Sequence, residues 1–175
     1  MKVYLLHGFN VKDGGEGTVD HLIDPLINAG HEVVEIDYGR LLRVRVRLLN
    51  EPIARVIAAT VTPGSILIGH SNGETLAWMA AKFGAPVSKI ILINPALDRD
   101  AELPGVPVVC YHSPSDKVTW LAKFIPGSPW GSAGRNGLIG SINYNLEAIV
   151  GDEVGHSDAL WNPLFHSHLV GLING

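Results

Sequence analysis

Short apolar runs alternate with longer amphipathic runs along the whole chain of 175 residues. The pattern predicts strands near residues 2–6, 32–37, 65–69, 88–93, 106–111 and 146–150. It predicts helices near residues 18–29, 41–49, 52–60, 72–83 and 159–173. We expect Pro52 in the first turn of its helix, with Asn50 or Glu51 as the cap. Strands that alternate with helices indicate a parallel sheet covered by helices on both faces.

Composition agrees with a single buried sheet. Hydrophobic residues make up 46% of the chain and charged residues 17%, and the length suits one domain. The net charge of -4 argues against nonspecific binding to nucleic acid. The single cysteine, Cys110, lies in a predicted strand, where we expect a buried apolar side chain. Met1-Lys2 leads directly into the first strand, and no apolar run is long enough to span a bilayer, so we expect a cytoplasmic protein.

The segment Gly69–Gly73 has the pattern G-x-S-x-G and lies between a predicted strand and a predicted helix. In this context Ser71 occupies a sharp turn, so that its hydroxyl projects above the edge of the sheet. The glycines are needed because the backbones of strand and helix pass close together there. The motif therefore predicts a nucleophilic serine.

Candidate partners of the serine follow other predicted strands. Asp116 comes after the strand at 106–111, and His156 comes after the apolar run at 146–150. A His7-Gly8 turn follows the first strand. The order Ser…Asp…His along the chain separates this arrangement from other folds that carry a catalytic triad.

On these motifs the chain resembles the α/β-hydrolase family, from His7-Gly8 to His156. The resemblance implies a three-layer α/β core of about six parallel strands in one domain, residues 1–175. The His-Gly turn of the family normally follows the third strand. The chain is therefore expected to lack the two N-terminal antiparallel strands.

The expected chemistry is acyl transfer through the serine. His156 would take the proton of the Ser71 hydroxyl, and Asp116 would orient the histidine. The backbone N–H of Asn72 is the expected first donor to the oxyanion, and the resemblance assigns the second to Phe9. The residues expected to line the substrate site are His7, Gly8, Asn10, His70, Trp120 and Trp130. We predict a small-molecule ester as substrate, no cofactor and no metal.

Several residues compete for these roles. Asp98 follows the strand at 88–93, where some members of the family carry the acid. His112, His166 and His168 compete with His156 as the base, although His166 and His168 are two residues apart in a helix and so face different sides.

Residues 117–145 are rich in glycine, proline and tryptophan and start at the carboxyl end of a strand, where ligands bind in such folds. We predict a cap or a wall of the substrate pocket, and a packed surface loop is the alternative. For the whole chain we predict a serine hydrolase that cleaves carboxylic esters. An acyltransferase with the same triad and a non-catalytic binding protein are the alternatives.

Overall fold

The computed structural model describes residues 1–8, 17–39, 46–118 and 131–175. Within these residues, six strands form one sheet in the order β2-β1-β3-β4-β5-β6, and every pairing is parallel. The strands are β1 (Lys2–Leu6), β2 (Glu32–Ile36), β3 (Ile66–His70), β4 (Lys89–Ile93), β5 (Val108–His112) and β6 (Ile142–Asn145). The helices are α1 (Ile23–Asn28), α2 (Val46–Thr60), α3 (Asn72–Lys82), α4 (Ala133–Asn136), α5 (Leu146–Val150) and α6 (Pro163–Asn174). Two 3-10 turns, Val19–Leu22 and Asp158–Trp161, precede α1 and α6.

The helices cover both faces of the sheet, as the alternation of elements predicts. Helices α2, α3 and α4 pack on one face through residues such as Ile57 and Leu76. Helices α1, α5 and α6 pack on the other face through residues such as Leu26 and Phe165. Neighbouring residues of the central strands alternate between the two clusters, because successive side chains of a strand point to opposite faces. Cys110 is fully buried in β5, as expected.

The strand order reverses at β1, because β2 lies on one side of it and β3 on the other. Such a switch point opens a crevice at the carboxyl ends of the two strands, which is where open α/β sheets bind ligands. Here Gly8 follows β1 and Ser71 follows β3, so both motifs are placed at this crevice.

The strand predicted at 146–150 is wrong. The sixth strand is Ile142–Asn145, and Leu146–Val150 form α5. The Asn145 side chain accepts a hydrogen bond from Glu147 N and caps this helix, and Gly151 ends it in the left-handed conformation. A five-residue segment with four apolar residues suits a strand and a helical turn equally, so periodicity alone cannot separate them.

The prediction of a separate helix that starts at Pro52 is also wrong. Helix α2 runs from Val46 to Thr60 with Pro52 inside it, so neither Asn50 nor Glu51 is a cap. Proline removes one hydrogen bond, to the carbonyl of Leu48. Pro52 is exposed, and on this solvent-facing side water can solvate the freed carbonyl. Residues 41–45 of the predicted helix at 41–49 lie outside the described residues.

The predicted insertion at 117–145 is shorter than its sequence suggests. Its last four residues form β6, and α4 within it packs into the core through Ala133. Strand β6 therefore belongs to the sheet, and α4 belongs to the layer of helices packed on it. Residues 119–130, with Trp120 and Trp130, lie outside the described residues, so their role as a pocket wall stays a prediction.

Candidate active site

Ser71 occupies a tight turn between β3 and α3. Its backbone has φ 55° and ψ -122°, a conformation that residues with a side chain rarely adopt. The surroundings impose it, because Ser71 N donates to Ile93 O at 3.2 Å and Glu74 N donates to Ser71 O at 3.2 Å. Strain of this kind persists where packing over-determines the backbone and is concentrated at functional sites.

The two glycines of the motif are required by close backbone contacts. A Cβ on Gly69 would lie 2.4 Å from the Cα of Glu74, and a Cβ on Gly73 would lie 2.2 Å from the carbonyl oxygen of Leu6. Neither glycine has a positive φ, so the requirement is for space and not for backbone freedom. The glycines let α3 start directly against β1 and β3.

The turn after β1 lies beside the serine. A Cβ on Gly8 would come within 3.2 Å of the Ser71 Cβ, so Gly8 keeps the space next to the serine open. His7 is buried, stacks on Tyr38 with ring centroids 4.0 Å apart, and accepts a hydrogen bond from the Tyr38 hydroxyl at its carbonyl. His7 therefore supports the turn by packing. Phe9 and Asn10 lie outside the described residues, so the second oxyanion donor stays a prediction.

The structure brings Asp116 and His156 together. Nδ1 of His156 lies 2.7 Å from Oδ2 of Asp116, whose side chain is fully buried. A carboxylate can only accept, so Nδ1 carries a proton, and in the neutral ring Nε2 is the nitrogen with the lone pair. Nε2 is buried and has no hydrogen-bond partner among the described residues, so no bond from the Ser71 hydroxyl is formed there.

The rival acid and bases have other surroundings. Asp98 is exposed in the loop after β4, whereas His156 binds Asp116. The rival histidines are each bonded elsewhere: His112 to Arg135 O, His166 to Leu160 O and His168 to the Tyr111 hydroxyl.

The loop that carries His156 is tied to the loop that carries Asp116. The Ser113 hydroxyl donates to Val154 O, and Glu147 Oε1 accepts from Ser115 N at 2.9 Å and lies 3.1 Å from the Ser113 hydroxyl. Ser113 is fully buried, so its bond to Val154 O is shielded from water. The relative position of the acid and the histidine is therefore determined by contacts outside the pair.

Asn72 begins α3, where backbone N–H groups have no partner within the helix. Its side chain forms a reciprocal amide pair with Asn50 of α2, at 3.0 Å and 3.3 Å, and both residues are buried. The pair holds Asn72 in place at the start of α3. The sequence suggested only a capping role for Asn50, because its burial depends on where α2 packs.

Glu74 is buried beneath the turn. Its Oε1 accepts from Ala96 N at 2.8 Å and from the Thr75 hydroxyl at 2.7 Å, which ties α3 to the loop after β4. Its Oε2 is buried without a partner among the described residues. Burial raises the pKa of Glu74 to about 8, so the carboxyl is largely neutral at pH 7.

A cavity of about 520 Å³ lies beside α3, between the start of α2 and the loop after β4. Its described lining residues are Asn50, Thr75, Trp78, Met79, Lys82, Leu97, Asp98, Asp100, Ala101 and Glu102. Ser71 and His156 are not among them, so the cavity is next to the turn but does not contain the site.

The sequence matches no protein-family model and no curated protein. Solved structures share the architecture at low sequence identity. An extracellular α/β-hydrolase from Paenibacillus, described as sharing structural and functional homology with tobacco salicylic acid binding protein 2, is 12% identical with a TM-score of 0.64. The match covers 100% of this chain and 99% of that one.

The chain has the α/β-hydrolase fold. Mouse α/β-hydrolase domain-containing protein 10 is 14% identical with a TM-score of 0.65, over 99% of this chain and 88% of that one. An esterase from Pyrococcus furiosus is 12% identical with a TM-score of 0.60, over 98% and 80%. In this chain Ser71 occupies the turn between β3 and α3 of that fold.

Two features are absent from the described part of the chain. No three side chains of the histidine, cysteine or acidic type come together there as a metal site. None of the helices described combines the length and the apolar character needed to cross a membrane.

Proposed function

We propose that this protein is a serine hydrolase that cleaves carboxylic esters through an acyl-enzyme intermediate. The observation that carries the proposal is the buried Asp116–His156 pair, which leaves Nε2 of the neutral ring as the acceptor. The strained turn of Ser71 directly follows His70, whose ring lies 4.9 Å from that of His156. The likeness to solved hydrolases supports it.

In the proposed reaction, the Ser71 hydroxyl attacks the ester carbonyl while Nε2 of His156 takes its proton. The N–H of Asn72 donates to the oxyanion of the tetrahedral intermediate. The histidinium returns the proton to the leaving alcohol, and the Asp116 carboxylate stabilises the charged ring. Water then repeats the sequence on the acyl-enzyme and releases the acid.

Labelling with a fluorophosphonate tests the nucleophile. The wild type should be labelled at Ser71, and Ser71→Ala should abolish labelling and lower kcat on p-nitrophenyl esters by several orders of magnitude. Ser167→Ala, at an exposed serine of α6, is the matched control and should label like the wild type. Labelling that persists in Ser71→Ala would refute the nucleophile. A wild type that is neither labelled nor active on esters of any chain length would favour a non-catalytic binding protein.

A further inference from the structure

Two buried side chains converge on one backbone oxygen of the histidine loop. Nε2 of His70 lies 3.0 Å from His156 O, and Nδ2 of Asn94 donates to the same oxygen at 2.7 Å. His70 is 2% exposed and Asn94 is fully buried. A carbonyl oxygen only accepts, so Nε2 of His70 must carry its proton. Two donors on one oxygen fill both of its lone pairs and define its position in two directions.

Both donors come from the strands that also hold the serine. His70 ends β3 and directly precedes Ser71. Asn94 follows β4, and the preceding residue, Ile93, accepts the hydrogen bond from Ser71 N. Two short paths therefore connect His156 O to the Ser71 backbone. One runs through His70 and its peptide bond to Ser71, and the other runs through Asn94, Ile93 and the hydrogen bond from Ser71 N.

Asn94 is itself held in an unusual backbone conformation. Its φ of 47° is in the left-handed region, which asparagine tolerates better than most residues. Asn94 N donates to Tyr111 O at 2.8 Å, which anchors it to β5. This conformation is the one in which the amide faces the histidine loop, so the position combines strain with a specific contact.

His70 is suited to act as a neutral donor. Burial, and then the neighbouring ring of His156, lower its pKa to about 3, so it stays uncharged over the working range of pH. The two rings lie 4.9 Å apart. A charged side chain at this position would perturb the His156 ring electrostatically, as the Asp116 carboxylate does. The neutral His70 ring holds the His156 backbone without adding a charge.

We propose that His70 and Asn94 are positioning residues, which hold His156 through its backbone carbonyl so that Nε2 can accept the Ser71 proton. This inference rests on the proposed function. It gives His70 a different role from the substrate contact expected from the sequence.

The test compares rates of fluorophosphonate labelling, kcat and KM in four variants. His70→Phe keeps a ring without the donor, and His70→Gln restores an N–H near the place of Nε2. Asn94→Asp replaces the amide donor by an acceptor, and Asn94→Gly removes the side chain but permits the positive φ. The controls are His166→Phe and Asn143→Asp, which remove donors to the carbonyls of Leu160 and Leu138 elsewhere in the fold.

We expect His70→Phe, Asn94→Asp and Asn94→Gly to lower the labelling rate and kcat by about 10- to 100-fold, with KM changed less than about twofold, because a misplacement of the base costs rate more than binding. His70→Gln should restore most of the rate. The control variants should react at the rate of the wild type.

Two results would overturn the inference while leaving the nucleophile in place. The first is wild-type labelling in His70→Phe and Asn94→Gly. The second is an equal loss in His70→Gln and His70→Phe, because the donor would then not be the cause. If His70→Phe does not fold, as judged by its thermal transition, the two Asn94 variants decide. A wild type that is not labelled at Ser71 would instead refute the proposed function.

Discussion

Glu74 makes the stability of this protein depend on pH in a direction that can be calculated. Its pKa is about 8 in the folded protein, because of burial, and 4.5 is the ordinary value. The folded protein therefore retains a proton that the unfolded chain releases as the pH rises above 4.5. Between these two values the unfolded state binds fewer protons, so the free energy of unfolding falls as the pH rises.

The perturbation is Glu74→Gln, which cannot ionise and keeps an oxygen to accept from Ala96 N and the Thr75 hydroxyl. At about 1.4 kcal/mol for each pH unit over which only the folded state holds the proton, the wild-type free energy of unfolding falls by about 3–4 kcal/mol between pH 5 and pH 8. The free energy of unfolding of Glu74→Gln does not fall for this reason, because glutamine does not ionise. The variant should gain stability relative to the wild type by that amount over the same range.

The assay is urea unfolding followed by tryptophan fluorescence, at several pH values from 5 to 8.5. The quantity to compare is the difference between variant and wild type at each pH, which cancels the titration of all other groups. Glu153→Gln, at an exposed glutamate, is the control and should parallel the wild type. A constant difference between Glu74→Gln and the wild type across this range would refute the reasoning, because Glu74 would then be ionised in the folded protein.

Three further predictions concern the site and its support. Asp116→Asn should lower kcat by about 10⁴-fold without unfolding the protein, because the amide favours the wrong tautomer of His156; a kcat within tenfold of the wild type would contradict this. Gly69→Ala should lower the free energy of unfolding by about 1–3 kcal/mol or prevent folding, because its Cβ meets the backbone of Glu74. Gly105→Ala is the control: the space around Gly105 is open, so this variant should unfold like the wild type in a thermal melt. Trp130→Ala should shift the preference among p-nitrophenyl esters of different chain length while Ser71 still labels; an unchanged profile would mean that the pocket is built from other segments.

Much of the fold could be predicted because its signals are local. Apolar runs and helical periodicity predicted five of the six strands close to their observed positions, and the sheet order then places the motifs at one edge. The error at 146–150 arose where the signal was ambiguous. Leu146–Val150 became a helix because Asn145 caps it and Ile142–Asn145 already pair with β5. Tertiary packing, and not the local sequence, decides which of two neighbouring segments pairs with a strand.

Some features of the candidate site could likewise be predicted from the sequence, and others could not. The turn of Ser71 is encoded by residues adjacent in the chain, because Gly69 and Gly73 relieve contacts that the turn itself creates. The sequence favoured Asp116 but could not exclude Asp98, since each follows a strand at the same edge. Only the folded arrangement brings the Asp116 carboxylate to Nδ1 of His156.

The chain alone therefore determined the layered architecture, the sharp turn and the residue types available at the crevice, because these depend on side-chain periodicity and on neighbours in sequence. The tertiary structure decided the contacts between residues far apart in the chain: the amide pair of Asn50 and Asn72, the burial of Glu74, and the two donors on His156 O. Such contacts depend on distances set by packing of the whole sheet and its helices. Polar residues that look like ordinary surface positions in the sequence acquire their roles only when that packing removes them from water.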